Sequence, residues 1–263
     1  MNFIPILNSV DDLHQIKKQI EQYGFFYFHV PNDEIINDTY KSTINFFSCD
    51  DEFKNQFLMN KNGIGYIPKN RYHKKHNLVE LKEQISFRPN EIYINDLLNQ
   101  KLNHYYEYMS VLASNIFIKI LESYQIDKSS YTKSFNTLTL LHYKKIDQSN
   151  GEIGIREHTD WGYITILWTD SDGLQIKIND EWIDIPTKKN CYIVNIGDSL
   201  EKMTDGKIKS TTHRVKYKNE KYSIAYFYEP SIDTKISKKV TFGDYLNSKL
   251  IESYNETFDQ TSI

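Results

Sequence analysis

The chain predicts an α+β, mainly β fold, a sandwich or jelly roll of short strands buttressed by helices from its N-terminal part. From Phe135 onward, apolar runs are divided by the turn pairs Asn150-Gly151, Asp172-Gly173, Asn179-Asp180 and Asp205-Gly206, a punctuation typical of such folds. Leu174, Ile176 and Ile178 alternate with Gln175 and Lys177, the period of a half-buried strand. Before Phe135 the spacing changes: Leu102, Tyr105, Met109, Leu112, Ile116 and Ile120 recur at helical intervals, which marks a long amphipathic helix.

In order, Ile4-Pro-Ile-Leu7 reads as a short strand. Ser9 is the expected N-cap of a helix whose stripe is Val10, Leu13, Ile16 and Ile20 and which Gly24 ends. Phe25–Val30 is a strand, helices are expected over about 33–47 and 50–60, and residues 61–80 read as one long loop, which compact domains carry mainly for a reason such as covering a site. Gln84–Arg88 is a further strand. Eight more are expected at 135–143, 153–157, 163–168, 174–178, 182–185, 191–196, 213–217 and 222–228. The division expected is a helical region over 1–134 packing on a β-core over 135–232, followed by a helical segment over 233–263.

At 263 residues the chain is long enough to bury a sizeable core. Its net charge of −3 offers no basic footprint for nucleic acid. No window approaches the roughly 20 apolar residues of a membrane span. Two cysteines, Cys49 and Cys191, make no disulfide framework, and the N-terminus has no basic leader. The expectation is a cytoplasmic protein acting on a small molecule, with neither nucleic acid nor membrane as partner.

The chemistry concentrates in two places. His158-Thr-Asp160 stands next to a strand, and Ser210-Thr-Thr-His213 follows further on. Period-2 geometry turns His158 and Asp160 to one face and Thr159 away. Joined by His213, two imidazoles and one carboxylate suit ferrous iron and leave coordination positions for a chelating cosubstrate and dioxygen. Zinc can use the same ligands but favours a tetrahedral site.

The surrounding order is more specific than the ligands alone. It runs His158-Thr-Asp160-x-Gly162-x-x-Thr165, Gly173-Leu-Gln175, Trp182-Ile183, Asn195-Ile-Gly-Asp198, Ser210-Thr-x-His213-Arg-Val215 and Tyr222-Ser223-Ile-Ala-Tyr-Phe227. With Gly24-Phe-Phe26, Gly65-Tyr66 and Lys82-Glu83 upstream, this resembles the isopenicillin N synthase-like branch of the 2-oxoglutarate- and Fe(II)-dependent dioxygenases. The resemblance implies a double-stranded β-helix (jelly roll), with His158, Asp160 and His213 as the catalytic metal ligands. It also implies 2-oxoglutarate as cosubstrate, dioxygen as oxidant and stimulation by ascorbate. The family's Arg-x-Ser, which grips the far carboxylate of 2-oxoglutarate, reads Lys221-Tyr-Ser223 here. Lysine keeps the charge but loses the two-pronged fork. The expected cosubstrate residues are therefore Lys221 and Ser223, with Tyr143 assisting. Two other readings stand beside this one: an iron oxidase of the same fold that uses no 2-oxoglutarate, and a catalytically silent binding protein.

Register adds a condition. A two-residue hairpin at Lys218-Asn219 would put Lys221 on the face opposite His213, so an odd loop or a crossing between sheets is expected instead. Trp161, Tyr163, Tyr66 and the 61–80 loop are the candidate substrate wall. Arg71 and Arg88 leave an acidic substrate open.

Overall fold

The first helix is set by its ends. Asp12 accepts a hydrogen bond from the Gln15 amide at 3.0 Å, and Gly24, at φ +76°, returns its N–H to the Ile20 carbonyl at 2.9 Å, a left-handed stop that glycine makes at no steric cost. The N-cap is Asp12 rather than Ser9, whose hydroxyl oxygen instead accepts from the Asp11 amide. The computed structural model describes residues 6–9, 11–31, 34–68, 71–73, 78–131, 135–145 and 152–254.

The elements run β1 (Ile6–Leu7), α1 (Leu13–Tyr23), β2 (Phe25–His29), α2 (Glu34–Ser48), α3 (Asp51–Asn55), β3 (Gly65–Ile67), β4 (Arg71–His73), β5 (Leu78–Glu80), β6 (Lys82–Phe87), α4 (Asp96–Ser123) and β7 (Thr137–Tyr143). They continue with β8 (Glu152–His158), β9 (Ile164–Thr169), β10 (Leu174–Ile178), β11 (Glu181–Ile185), β12 (Cys191–Ile196), α5 (Asp198–Met203), β13 (His213–Tyr217), β14 (Lys221–Tyr228) and α6 (Phe242–Tyr254). All eight strands expected after Phe135 form, with ends shifted by a residue or two.

Two differences have local causes. The helix expected to reach about residue 60 stops at Asn55, because the chain turns back so that Leu58 bridges Tyr66 and the Phe57 carbonyl accepts from the Tyr66 amide at 2.5 Å. Gly65 allows this approach: at φ +124°, an added Cβ would lie 2.6 Å from the Phe57 carbonyl oxygen. The 61–80 stretch is not one loop. It carries β3, paired with β6, and the β4–β5 hairpin, strands too short to declare a period. Residues 69, 70 and 74–77 of that stretch, the turn at Asn150-Gly151 and the start of the first strand lie outside the described residues.

The strands form a jelly roll. The larger sheet has the order β1-β2-β12-β9-β14-β7-β6-β3, and the smaller β11-β10-β13-β8. Between them lie Phe25, Tyr27, Leu141, Tyr143, Leu174, Ile176, Ile193, Val215 and Ala225. Helices α1, α2 and α4 pack on the outer face of the larger sheet. There Leu102, Tyr105, Met109, Ile116, Phe117 and Ile120 of α4 are fully buried, each large apolar side chain worth about 1.5–3 kcal/mol. That burial, repeated along 28 residues, anchors the sheet that carries half of the site. Strands β2, β3 and β6 also belong to the larger sheet, so the segment before Phe135 contributes strands as well as helices.

β13 and β14 lie in different sheets. The chain therefore crosses the sandwich between His213 and Lys221, and both face its interior, as the register argument requires.

Candidate metal centre and adjoining cavities

β8 and β13 are antiparallel neighbours, and His158 and His213 are direct cross-strand partners with ring centroids 4.2 Å apart. Asp160 lies just past the end of β8 rather than on it. Its backbone is held by the Asp198 amide, which donates to the Asp160 carbonyl at 2.8 Å. The ligand-capable atoms of His158, Asp160 and His213 all lie within 4.8 Å of one another. Asp160 Oδ1 is 3.8 Å from each histidine Nε2, too far for a hydrogen bond.

The remaining atom of each group is tied. His158 Nδ1 donates to the Arg156 carbonyl at 2.8 Å, and His213 Nδ1 to the Thr211 carbonyl at 2.9 Å. A carbonyl only accepts, so Nδ1 carries a proton in each ring, and Nε2, turned toward Asp160, is the atom left for a metal. Asp160 Oδ2 accepts from Thr165 Oγ1 at 2.5 Å and Asn195 Nδ2 at 2.8 Å. Burial pushes His158 down to about 4, with His213 beside it adding to the fall and Asp160 opposing it. Burial alone would raise the Asp160 carboxyl, but the two histidines and its two hydrogen bonds hold it below its ordinary value. Two ring nitrogens and one carboxylate oxygen thus converge, a donor set that fits a divalent metal such as ferrous iron. Thr159 turns away and donates to Asp198 Oδ2 at 3.0 Å. Arg214 also points elsewhere, its guanidinium 4.1 Å over the Trp182 ring.

The three residues sit where two cavities meet. The smaller, about 70 Å³, runs between the sheets and is lined by His158, Asp160, His213, Tyr143, Lys221 and Ser223. Lys221 is 2% exposed. It donates to Thr169 Oγ1 and to the Ser171 carbonyl, and Ser223 donates to Thr169 Oγ1 at 3.2 Å. Tyr143 is the cross-strand neighbour of Lys221. Burial lowers Lys221 to about 8, while Asp170 and Asp172 pull it back up.

The larger cavity, about 300 Å³, shares His158, Asp160, Leu141, Ile155 and Phe227 with the smaller. Trp161 lines it, as do Asn62, Gly63 and Arg88. The other two aromatic candidates do not. Tyr163 stacks on Phe117 at 4.6 Å in the helix-side core. Tyr66 is buried and donates to Glu83 at 2.5 Å. The side chain of Arg71 lies outside the described residues. Sequence reasoning missed Gln84, Thr139, Arg156 and Glu229 on the cavity wall, and Leu246 and Leu250 of α6. The alternation of Gln84, Ser86 and Arg88 along β6 was the available signal for part of that wall.

Residues 134–230 match the family model of the 2OG-Fe(II) oxygenase superfamily. Among curated proteins, 1-aminocyclopropane-1-carboxylate oxidase 3 of Arabidopsis thaliana is 33% identical over 52% of this chain and 46% of its own. A clavatol oxidase of Penicillium crustosum is 32% identical over 57% of this chain and 48% of its own. These matches span about half the length of the two relatives. A 1-aminocyclopropane-1-carboxylate oxidase of Dictyostelium discoideum aligns more fully, at 27% identity over 86% of this chain and 80% of its own. Among solved structures, a full-length Neurospora crassa protein in complex with alpha-KG superposes with a TM-score of 0.80 at 24% identity, covering 94% of this chain and 95% of that one. The dioxygenase for auxin oxidation 1 from Arabidopsis thaliana, with 2-oxoglutarate, gives 0.77 at 21% identity, covering 89% and 96%. Among the described residues no helix is long and apolar enough to cross a membrane.

Proposed function

Since this chain belongs to the 2OG-Fe(II) oxygenase superfamily, we propose that it couples oxidative decarboxylation of 2-oxoglutarate to hydroxylation or a related oxidation of a small molecule, in the manner of the isopenicillin N synthase-like branch. The observation that carries this reading is the convergence of His158 Nε2, His213 Nε2 and Asp160 Oδ1 at the mouth of a cavity that ends on a buried cation, Lys221. The free thiols of Cys49 and Cys191 support a cytoplasmic, reducing setting.

His158, Asp160 and His213 would hold the iron. When bound, iron with the 2-oxo acid and dioxygen supplies the oxidising power, and the protein supplies ligation, orientation and exclusion of water. Lys221 takes the far carboxylate of the cosubstrate. An ammonium has three donors, and two are held by Thr169 and Ser171, which leaves one for a carboxylate oxygen. Ser223, two residues along the same strand face, adds a second donor when its hydroxyl turns from Thr169. Tyr143 closes the side of the cavity next to Lys221, fixed against Tyr217 and Gly154, where a Cβ would lie 2.7 Å from the tyrosine ring. The substrate occupies the larger cavity beyond Asp160.

Succinate formation from 2-oxoglutarate, measured with Fe(II) and ascorbate under air, tests the reading. Production above that of a His213→Ala variant is expected. The lysine in the arginine's place favours one rival, an iron oxidase of this fold that spares 2-oxoglutarate. Oxygen consumption without succinate would establish it.

A further inference from the structure

The larger cavity contains a buried acid that ligating a metal or holding a cosubstrate does not use. Glu229 follows directly on β14 and continues the inward face of Lys221, Ser223, Ala225 and Phe227. It is more than nine-tenths buried, at 6% exposure, and lines the cavity with His158 and Asp160. Its backbone is pinned on both sides: the Phe135 amide donates to its carbonyl at 2.9 Å, and its own amide donates to Asn136 Oδ1 at 3.1 Å. Its side chain packs against the turn after Asp160, where a Cβ on Gly162 would come within 2.9 Å of Glu229 Cγ.

The carboxyl is only half satisfied. Oε2 accepts from Thr137 Oγ1 at 2.9 Å, and Oε1 accepts nothing from the described residues. The neighbouring cation does not fill the gap. Arg88 spends its guanidinium on the Asn136 carbonyl, Glu91 Oε1 and Thr137 Oγ1. An acceptor that the protein leaves unpaired on a cavity wall is open to a donor from a ligand. Burial raises the Glu229 carboxyl to about 7, against the Thr137 hydrogen bond and the charge of Arg88, with Asp160 adding to the rise.

We propose that Glu229 is the substrate-anchoring residue of the larger cavity and that the substrate is a small molecule presenting an N–H or O–H donor to Glu229 Oε1. This rests on the oxygenase reading for its assignment of the cavity to substrate, and it names the chemistry that the cavity selects. Glu229 shares the cavity wall with His158 and Asp160, so the donor is bound in the same cavity as the position the enzyme oxidises.

The test reads binding without turnover. Saturation-transfer NMR is run on the full-length protein with a panel of cyclic amides, ureas and amines and their N-methylated counterparts, on wild type and on Glu229→Met. In wild type, N–H members bind at least threefold more tightly than their methylated partners, and the preference disappears in Glu229→Met. Glu229→Met fills about the same space, and unchanged far-UV circular dichroism shows that the two folded proteins are compared. No N–H preference in wild type, or a preference that survives the substitution, would each overturn the proposal. The contrast does not depend on succinate formation, so the anchor and the oxygenase reading fail separately.

Discussion

His158 and His213 stand directly opposite one another across the β8–β13 pair, each with its Nδ1 tied to the carbonyl two residues before it. The repeated His-to-carbonyl pattern fixes both rings in one tautomer, and the strand pairing alone brings the two Nε2 atoms to the same carboxylate.

Removing either ring should therefore abolish metal binding without unfolding the chain. The His213 side chain is partly exposed and lines the smaller cavity. Its change to Ala is expected to lower Co(II) affinity by more than about 100-fold, from the loss of one of three ligands. Far-UV circular dichroism should remain unchanged. Titration of the visible Co(II) bands measures the first, and retained affinity would refute the ligand assignment.

Asn195 and Thr165 act through Asp160. They hold Oδ2 so that Oδ1 faces the histidines, and they help keep the carboxyl ionised although it is buried. Asn195→Ala should weaken metal binding about 10–100-fold, the usual effect of removing a partner that orients a ligand. The loss should lessen at higher pH, where the less well-held carboxyl is fully ionised. A pH-independent loss would point to a general collapse of the site instead.

The candidate metal ligands were legible because short motifs carry them and because each is local to a strand end. The crossing between His213 and Lys221 was legible as a parity argument, since a strand face alternates with every residue. The wall of the larger cavity was not. Tyr163 and Tyr66 look like pocket aromatics in sequence, yet the stacking of Tyr163 on Phe117 and the bond of Tyr66 to Glu83 place both in packed layers. What faces the larger cavity is decided by which strands neighbour one another, β14-β7-β6, and by α6 returning to that cavity through Leu246 and Leu250. Those are long-range pairings that no local pattern encodes.

Lys221 should make cosubstrate binding pH-dependent in a way an arginine would not. Burial brings its folded value down to about 8, and only the ammonium attracts a carboxylate. In titrations followed by tryptophan fluorescence, 2-oxoglutarate affinity is expected to be flat below about pH 7 and to fall as the pH rises through 8. Lys221→Met should cost at least tenfold at pH 7. Lys221→Arg, always charged, should remove the pH dependence even where its bulk weakens binding. A wild-type profile that stays flat to pH 9.5 would show that Lys221 does not hold the cosubstrate.

The other side of that strand rung carries a separate load. Lys82, Tyr143 and Lys221 are register partners across β6, β7 and β14, and the next rung is Glu83, His142 and Tyr222, with side chains on the helix face. There Glu83 accepts from Lys54 at 2.8 Å and Tyr66 at 2.5 Å, and its other oxygen is 2.8 Å from His142 Nδ1. Burial alone would raise this carboxyl, but His142, Lys54 and Tyr66 together hold it at about 2 instead of 4.5. A carboxyl lowered in the folded state stabilises the protein above its unfolded value, and that contribution is lost as the pH falls from about 4.5 toward 2. One pKa unit is worth about 1.4 kcal/mol, so the loss is on the order of 3 kcal/mol. Glu83→Gln leaves the Lys54 ammonium buried against a neutral partner and should cost roughly 3 kcal/mol at pH 7, near the lower end for a broken buried pair, because Asp51 remains 3.2 Å from Lys54. Urea unfolding at pH 7 and pH 3 measures both effects, and the gap between wild type and variant should narrow at the lower pH. Because the face of this rung is opposite that of Lys221, 2-oxoglutarate affinity of the folded variant should stay within about twofold of wild type, as substitutions without shared partners usually add independently. A large loss of affinity with unchanged stability would mean that the two faces of the strand are coupled.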